Sequence, residues 1–203
     1  FQDIFYDIAN NPRAGLLSFV FLLSVFLMSN GVNAIFTGFE FSYHTKINRS
    51  IIRQYLVAVG VAIIVAFLLL VAVIATVYFS YLIDQFKSLG VVGDSIVLAK
   101  YGRFAILILV LVLGISTLYY FGTKEGRKTR FFSLGSFFTT LLIILTTYLF
   151  SIYVENFSDY NKLYGSIGAL LILMLYIWLN SNILLLGFEL NGSIYNLKQK
   201  CKN

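Results

Sequence analysis

Apolar side chains fill five long runs of the chain, at 16–39, 55–83, 104–121, 132–153 and 164–190, and polar residues collect between them. Glu189 is the single charged residue inside the runs. A hydrocarbon core about 30 Å thick requires about 20 apolar residues of helix, so each run is long enough to span, the third narrowly and the second with room to tilt. A transmembrane β-barrel would instead show segments of about ten residues alternating in polarity. Runs such as Val61 to Val77 do not alternate. The pattern therefore predicts an all-α, polytopic transmembrane helical bundle, a single membrane domain over 1–203 with five spans in this chain. Ahead of the first run, Phe1, Ile4, Phe5 and Ile8 fall at helical spacing, which predicts a short amphipathic helix over 1–10 lying on the membrane surface. Asn11 and Pro12 then read as an N-cap and first helical residue. The connection at 84–103 is the longest, and its apolar patch Ile96-Val97-Leu98 suits an external interfacial segment or a shallow re-entrant one.

Composition sharpens the class. Of 203 residues 59% are hydrophobic and only 12% charged, against roughly half and a quarter in soluble domains. Twenty Phe and 14 Tyr exclude disorder, because such a chain has ample surface to bury. Short connections rich in Lys and Arg are retained in the cytoplasm. Three are basic: 42–54 with Lys46, Arg49 and Arg53, 122–131 with Lys124, Arg127, Lys128 and Arg130, and the tail with Lys198, Lys200 and Lys202. They alternate with poorer ones, which predicts a cytoplasmic C-terminus and an external residue 1 at a plasma membrane. The chain opens on Phe1 without a charged, cleavable leader. An upstream helix is therefore expected, making six spans in a longer protein.

The net charge of +6 follows from cationic loops facing anionic headgroups, each attraction being about 1 kcal/mol. No stripe joins these cations to stacking aromatics, so nucleic acid is not an expected partner. Cys201 is the only cysteine, so no internal disulfide exists. One histidine, His44, stands beside basic residues. No metal-ligand cluster, nucleophile with a spaced base or Gly-rich phosphate loop appears, so neither an enzyme nor a cofactor is expected.

Polar residues within the spans carry the functional information, because each needs a bundle partner or a wet cavity. The first span holds Asn30 and Asn33, and the fifth holds Asn180 and Asn182. At 1.5 Å per residue Asn30 lies roughly 21 Å, and Asn180 roughly 24 Å, from the outer end of its span. This shared depth permits a polar pocket or pathway between first and last helices, or simple interhelical hydrogen bonds of about 0.6 kcal/mol each. Glu40 and Glu189, at the basic ends of their spans, can anchor the boundary or act as gate or coupling groups with Arg49. Ala58, Ala62 and Ala66 at four-residue spacing, with Gly165 and Gly168, suggest close helix packing. Thr139, Thr140, Thr146 and Thr147 can bond their own backbone, and Tyr119-Tyr120-Phe121 fits an interfacial belt.

The last span carries Tyr164-Gly165-Ser166-Ile167-Gly168-Ala169, then Leu175-Tyr176-Ile177-Trp178-Leu179, then Leu186-Gly187-Phe188-Glu189-Leu190-Asn191. Ser29, Gly31, Tyr43, Arg49 and Arg53 follow a second spacing near the end of the first span. Together these resemble the YihY/BrkB family of bacterial inner-membrane proteins, formerly labelled ribonuclease BN. Glu40 replaces the family's usual Asn, and prolines common in the family are absent here. The resemblance implies a six-helix inner-membrane protein for which transport is a common suggestion. The residues do not support the ribonuclease label. The expected function is transport of a small solute, ion or lipid, and the alternative is a non-catalytic scaffold for envelope assembly. Expected partners are membrane lipids and such a substrate, with self-association left open.

Overall fold

The computed structural model describes residues 14–42, 50–88, 96–123, 126–128, 130–156 and 166–201. Among the described residues it has five α-helices: α1 (Ala14–Glu40), α2 (Ile51–Ser88), α3 (Ile96–Gly122), α4 (Leu134–Asn156) and α5 (Ser166–Lys200). A 3₁₀ turn at Gly126–Lys128 lies between α3 and α4. All five are long and apolar enough to cross a membrane, and the described residues contain no strand. The surface helix expected at 1–10, the Asn11-Pro12 start and Arg49 lie outside the described residues.

Several helix boundaries depart from the apolar pattern, three of them with consequences for the site. Helix α2 begins at Ile51 rather than 55, which draws Gln54 into its first turn. Helix α3 begins at Ile96, so the patch Ile96-Val97-Leu98 is its first turn rather than part of the connection. Helix α5 runs ten residues beyond the apolar run, to Lys200. No proline stops it, and Lys198 and Lys200 in the last turn face the negative end of the helix dipole favourably.

Neighbouring helices run antiparallel. The start of α2 meets the end of α1 where Gln54 approaches Thr37. The end of α2 meets the start of α3, where Arg103 Nε donates to Ser80 Oγ at 3.1 Å. The end of α4 meets α5 through Phe150 and Tyr176, ring centroids 5.0 Å apart. Arg53, Arg127, Arg130 and Lys198 consequently gather at one end of the bundle, the basic end, where α1 ends, α2 begins, α3 ends, α4 begins and the second half of α5 passes.

The packed core sits at that end. Val32, Phe36, Phe39, Ala58, Val61, Ala62, Ile115, Tyr119 and Phe188 form one buried cluster. Phe39 stacks on Phe188 at 4.4 Å and meets Tyr119 edge-on at 5.6 Å. Ala58 and Ala62 take the close-packing role expected of them, whereas Ala66 is exposed. Away from this end the packing thins. No residue of α4 over 141–155 and none of α5 over 169–186 is buried. Many of their Leu and Ile side chains, such as Leu141, Leu145, Leu170, Leu173 and Ile177, face outward, as those of helices apolar all round do in lipid.

Candidate functional site

The site is built from polar residues that close the basic end. Tyr119, on α3, is 2% exposed, so it is a core residue and not part of an interfacial belt. Its hydroxyl lies 2.6 Å from Thr139 Oγ1 on α4 and donates to the Leu184 carbonyl of α5 at 2.8 Å. One phenol thus ties three helices together. Thr139 reaches across to α3, contrary to the expectation that it bonds its own helix, while Thr140 does donate to Ser136 O at 2.8 Å. Thr147 donates to Ile143 O at 2.7 Å. The three helices approach closely because Gly187 and Gly135 lack side chains. A Cβ on Gly187 would run into Thr139 Oγ1 and Tyr119 Oη, and one on Gly135 into the Gly187 carbonyl and Asn191.

The start of α4 is capped by protein side chains. Ser133 Oγ accepts from Ser136 N at 3.2 Å, and Ser136 Oγ accepts from Ser133 N at 3.3 Å, a reciprocal cap with serine in place of the usual Glu. The amide between them, Gly135 N, donates to Asn191 Oδ1 at 2.8 Å, and Asn191 Nδ2 donates to Ser133 Oγ at 2.7 Å. Asn191 is 7% exposed, so this α5 side chain serves as a second cap for α4. Unpartnered amides at a buried helix start are costly, and these have partners.

A polar face lines the lower half of α1. With 100° between successive residues, Asn30, Asn33, Thr37 and Glu40 fall within an arc of about 80°. Thr37 Oγ1 donates to Asn33 O at 3.0 Å. Gln54, 7% exposed on α2, lies 3.2 Å from Thr37 Oγ1. Its amide nitrogen, oriented to satisfy both ends of the group, donates to Glu40 Oε2 at 3.0 Å and Oε1 at 3.2 Å. Nearby, Ser42 Oγ donates to Glu189 Oε1 at 3.3 Å, joining α5 to the chain just after α1.

The residues expected to form one pocket divide into two places. Asn33 and Glu40 share the α1–α2 face with Gln54, and Asn30 continues that face outward as an exposed residue. Asn180 is half-buried, with Nδ2 donating to Tyr176 O at 2.8 Å and a buried Oδ1 that has no partner. Asn182 is exposed and donates to Trp178 O at 2.8 Å. No hydrogen bond links the α1 pair to the α5 pair. Glu40 and Glu189 both sit at the basic end, each half-buried. Among the described residues no cluster of His, Cys, Asp and Glu could hold a metal.

Sequence reasoning missed Tyr119, Gln54, Ser133 and Asn191. For Gln54 a signal existed: it sits fourteen residues after Glu40 at the entry of the second span, where a helix cap would carry it into contact. Asn191 closes the Leu186–Asn191 motif, where an uncharged amide just beyond an apolar run marks a capping candidate.

The family model described as Virulence factor BrkB matches residues 1–202. The ribonuclease-like protein YfkH of Bacillus subtilis (strain 168) is 32% identical over 200 residues, covering 98% of this chain and 72% of that protein. A UPF0761 membrane protein of Glaesserella parasuis serovar 5 is 25% identical over 187 residues, covering 92% of this chain and 63% of the relative. Another, from Idiomarina loihiensis, is 35% identical over 74 residues, 26% of its length. The chain thus spans less than two thirds of the UPF0761 relatives. No solved structure matches.

Proposed function

Since the chain belongs to the BrkB family of membrane proteins, we propose that it is a permeation or transport protein for a small polar solute, an ion or a lipid. The observation that carries this reading is the α1 face Asn30, Asn33, Thr37 and Glu40, met by Gln54. Amides and a carboxylate aligned along the inner half of an apolar span are expensive in hydrocarbon unless they line a wetted path or bind something polar. Glu40, held by the Gln54 amide, stands at the mouth of this path and serves as its gate. Asn180, whose Oδ1 is buried without a partner, offers a second polar station on α5.

The proposed setting is the bacterial inner membrane with the C-terminus in the cytoplasm, which places the closed, basic end on the cytoplasmic side by the positive-inside bias. The reading involves no hydrolytic step, and the ribonuclease-like name belongs to the Bacillus relative. Water access tests it directly. In a Cys201→Ser background, Asn30→Cys, Asn33→Cys and Thr37→Cys should all react with a small water-soluble thiol reagent. A cysteine at Leu22, exposed on the same helix, should not. Proteoliposome flux of glycerol, potassium and protons should then fall with Asn33→Leu or Gln54→Leu. Unreactive cysteines at all three polar positions would refute a wetted path. In that case charge reversal at Lys124, Arg127, Lys128 and Arg130 would be the next experiment, directed at a scaffold role.

A further inference from the structure

Beside the sealed start of α4, a groove of about 430 Å³ opens toward the basic end, between the 130–134 segment and the last turns of α5. We propose that this groove binds a terminal phosphate group, either free in solution or as the monoester of a lipid headgroup. The inference stands apart from the transport reading, because none of the α1 face contributes to it.

The chemistry of the walls carries the argument. Arg130 and Lys198 both line the groove, and no carboxylate does. Neither cation has an ion-pair partner among the described residues. Ser133 Oγ already accepts from Asn191 Nδ2 at 2.7 Å and Ser136 N at 3.2 Å. Its hydrogen is therefore left to donate. Tyr195 Oη accepts from Gln199 Nε2 at 2.9 Å, and its hydrogen is likewise free. The Asn191 oxygen is consumed by Gly135 N. The polar side chains the groove offers a guest are thus cations or donors, and α4 begins at Leu134 in its wall, with the positive end of its dipole there. An oxyanion with several acceptor oxygens satisfies such a set, whereas a neutral or cationic guest leaves it unpaired. Phe132 and Leu134 form an apolar lip, 54% and 65% exposed. That lip gives acyl chains a place to lie if the phosphate belongs to a lipid headgroup.

The test is calorimetric titration of the purified full chain in detergent with three probes: inorganic phosphate, dihexanoyl phosphatidate and dihexanoyl phosphatidylcholine. Phosphatidate is expected to bind, with affinity falling about thirtyfold in Arg130→Gln/Lys198→Gln, two surface cations each being worth about fivefold. Lys200→Gln, just outside the groove, should leave binding unchanged. Tyr195→Phe, which removes only a hydroxyl, should weaken binding a few-fold while keeping the fold, as checked by thermal unfolding. Phosphatidate binding well above both other probes identifies a lipid headgroup, and inorganic phosphate binding equally well identifies an aqueous anion. If neither phosphate nor phosphatidate binds, or if the double variant binds as wild type does, the proposal is overturned.

Discussion

Replacing Gly187 with alanine tests the three-helix junction with one methyl group. The added Cβ would enter space held by Thr139 Oγ1 and Tyr119 Oη, the two atoms of the 2.6 Å contact. Neither can withdraw freely. Tyr119 is pinned by the Leu184 carbonyl at 2.8 Å and by the rings of Phe39 and Phe188. Inserting a methyl group into a packed core costs about 1–3 kcal/mol. Breaking the phenol's bond in a membrane interior adds about 0.6 kcal/mol on average and up to about 1.7. The expected loss is therefore about 2–4 kcal/mol, measured by reversible unfolding in mixed micelles. Tyr119→Phe should lose only the hydrogen-bond share, about 1 kcal/mol. In a Thr139→Ala background the Gly187→Ala loss should shrink by at least about 1 kcal/mol, since the nearest obstructing atom is gone. A Gly187→Ala protein within about 0.5 kcal/mol of wild type, or a loss unchanged by Thr139→Ala, would refute the junction as described.

Asn191→Ala strands Gly135 N in a buried position, and a loss of about 1–3 kcal/mol is expected in the same unfolding assay. Asn182→Leu should change stability by less than about 0.5 kcal/mol, because that amide is exposed and bonds only its own helix. Asn180→Leu removes an amide whose buried oxygen has no partner, so it should fold at least as well as wild type and lose solute flux. Cys201, exposed and unique, should react with an impermeant maleimide in inside-out vesicles and stay unreacted in intact cells, which checks the proposed orientation.

The five spans were legible because hydrocarbon demands length and apolarity, and both are written directly into the sequence. Which face of each span turns inward was not. In lipid the outside of a bundle is as apolar as its inside, so Phe36, buried, and Phe26, exposed, are the same residue in the same helix with nothing local to tell them apart. Tyr119 shows the difficulty: flanked by Tyr120 and Phe121 at a helix end, it has the signature of a headgroup aromatic, and only the arrival of Thr139 and Leu184 makes it a core residue. The polar positions were easier to find than to pair. Counting along the spans gives Asn30 and Asn180 a similar depth, yet depth specifies one coordinate, and the Asn180 amide bonds its own helix at Tyr176 O while Asn30 is exposed. The α1 face, by contrast, needed only the 3.6-residue period, which places Asn33 and Glu40 together.

The bonds that fasten α1 and α3 to α4 and α5 run through Ser42, Tyr119 and their partners, all at the basic end. Mechanically this makes Gly187 a fulcrum. The far end of α5, near Gly168, lies about 28 Å away along the helix. A rotation of about 5° about the fulcrum would carry that end through about 2.5 Å. Leverage of this kind would convert sub-ångström adjustment at the basic face into displacement wider than a water molecule's radius at the opposite one.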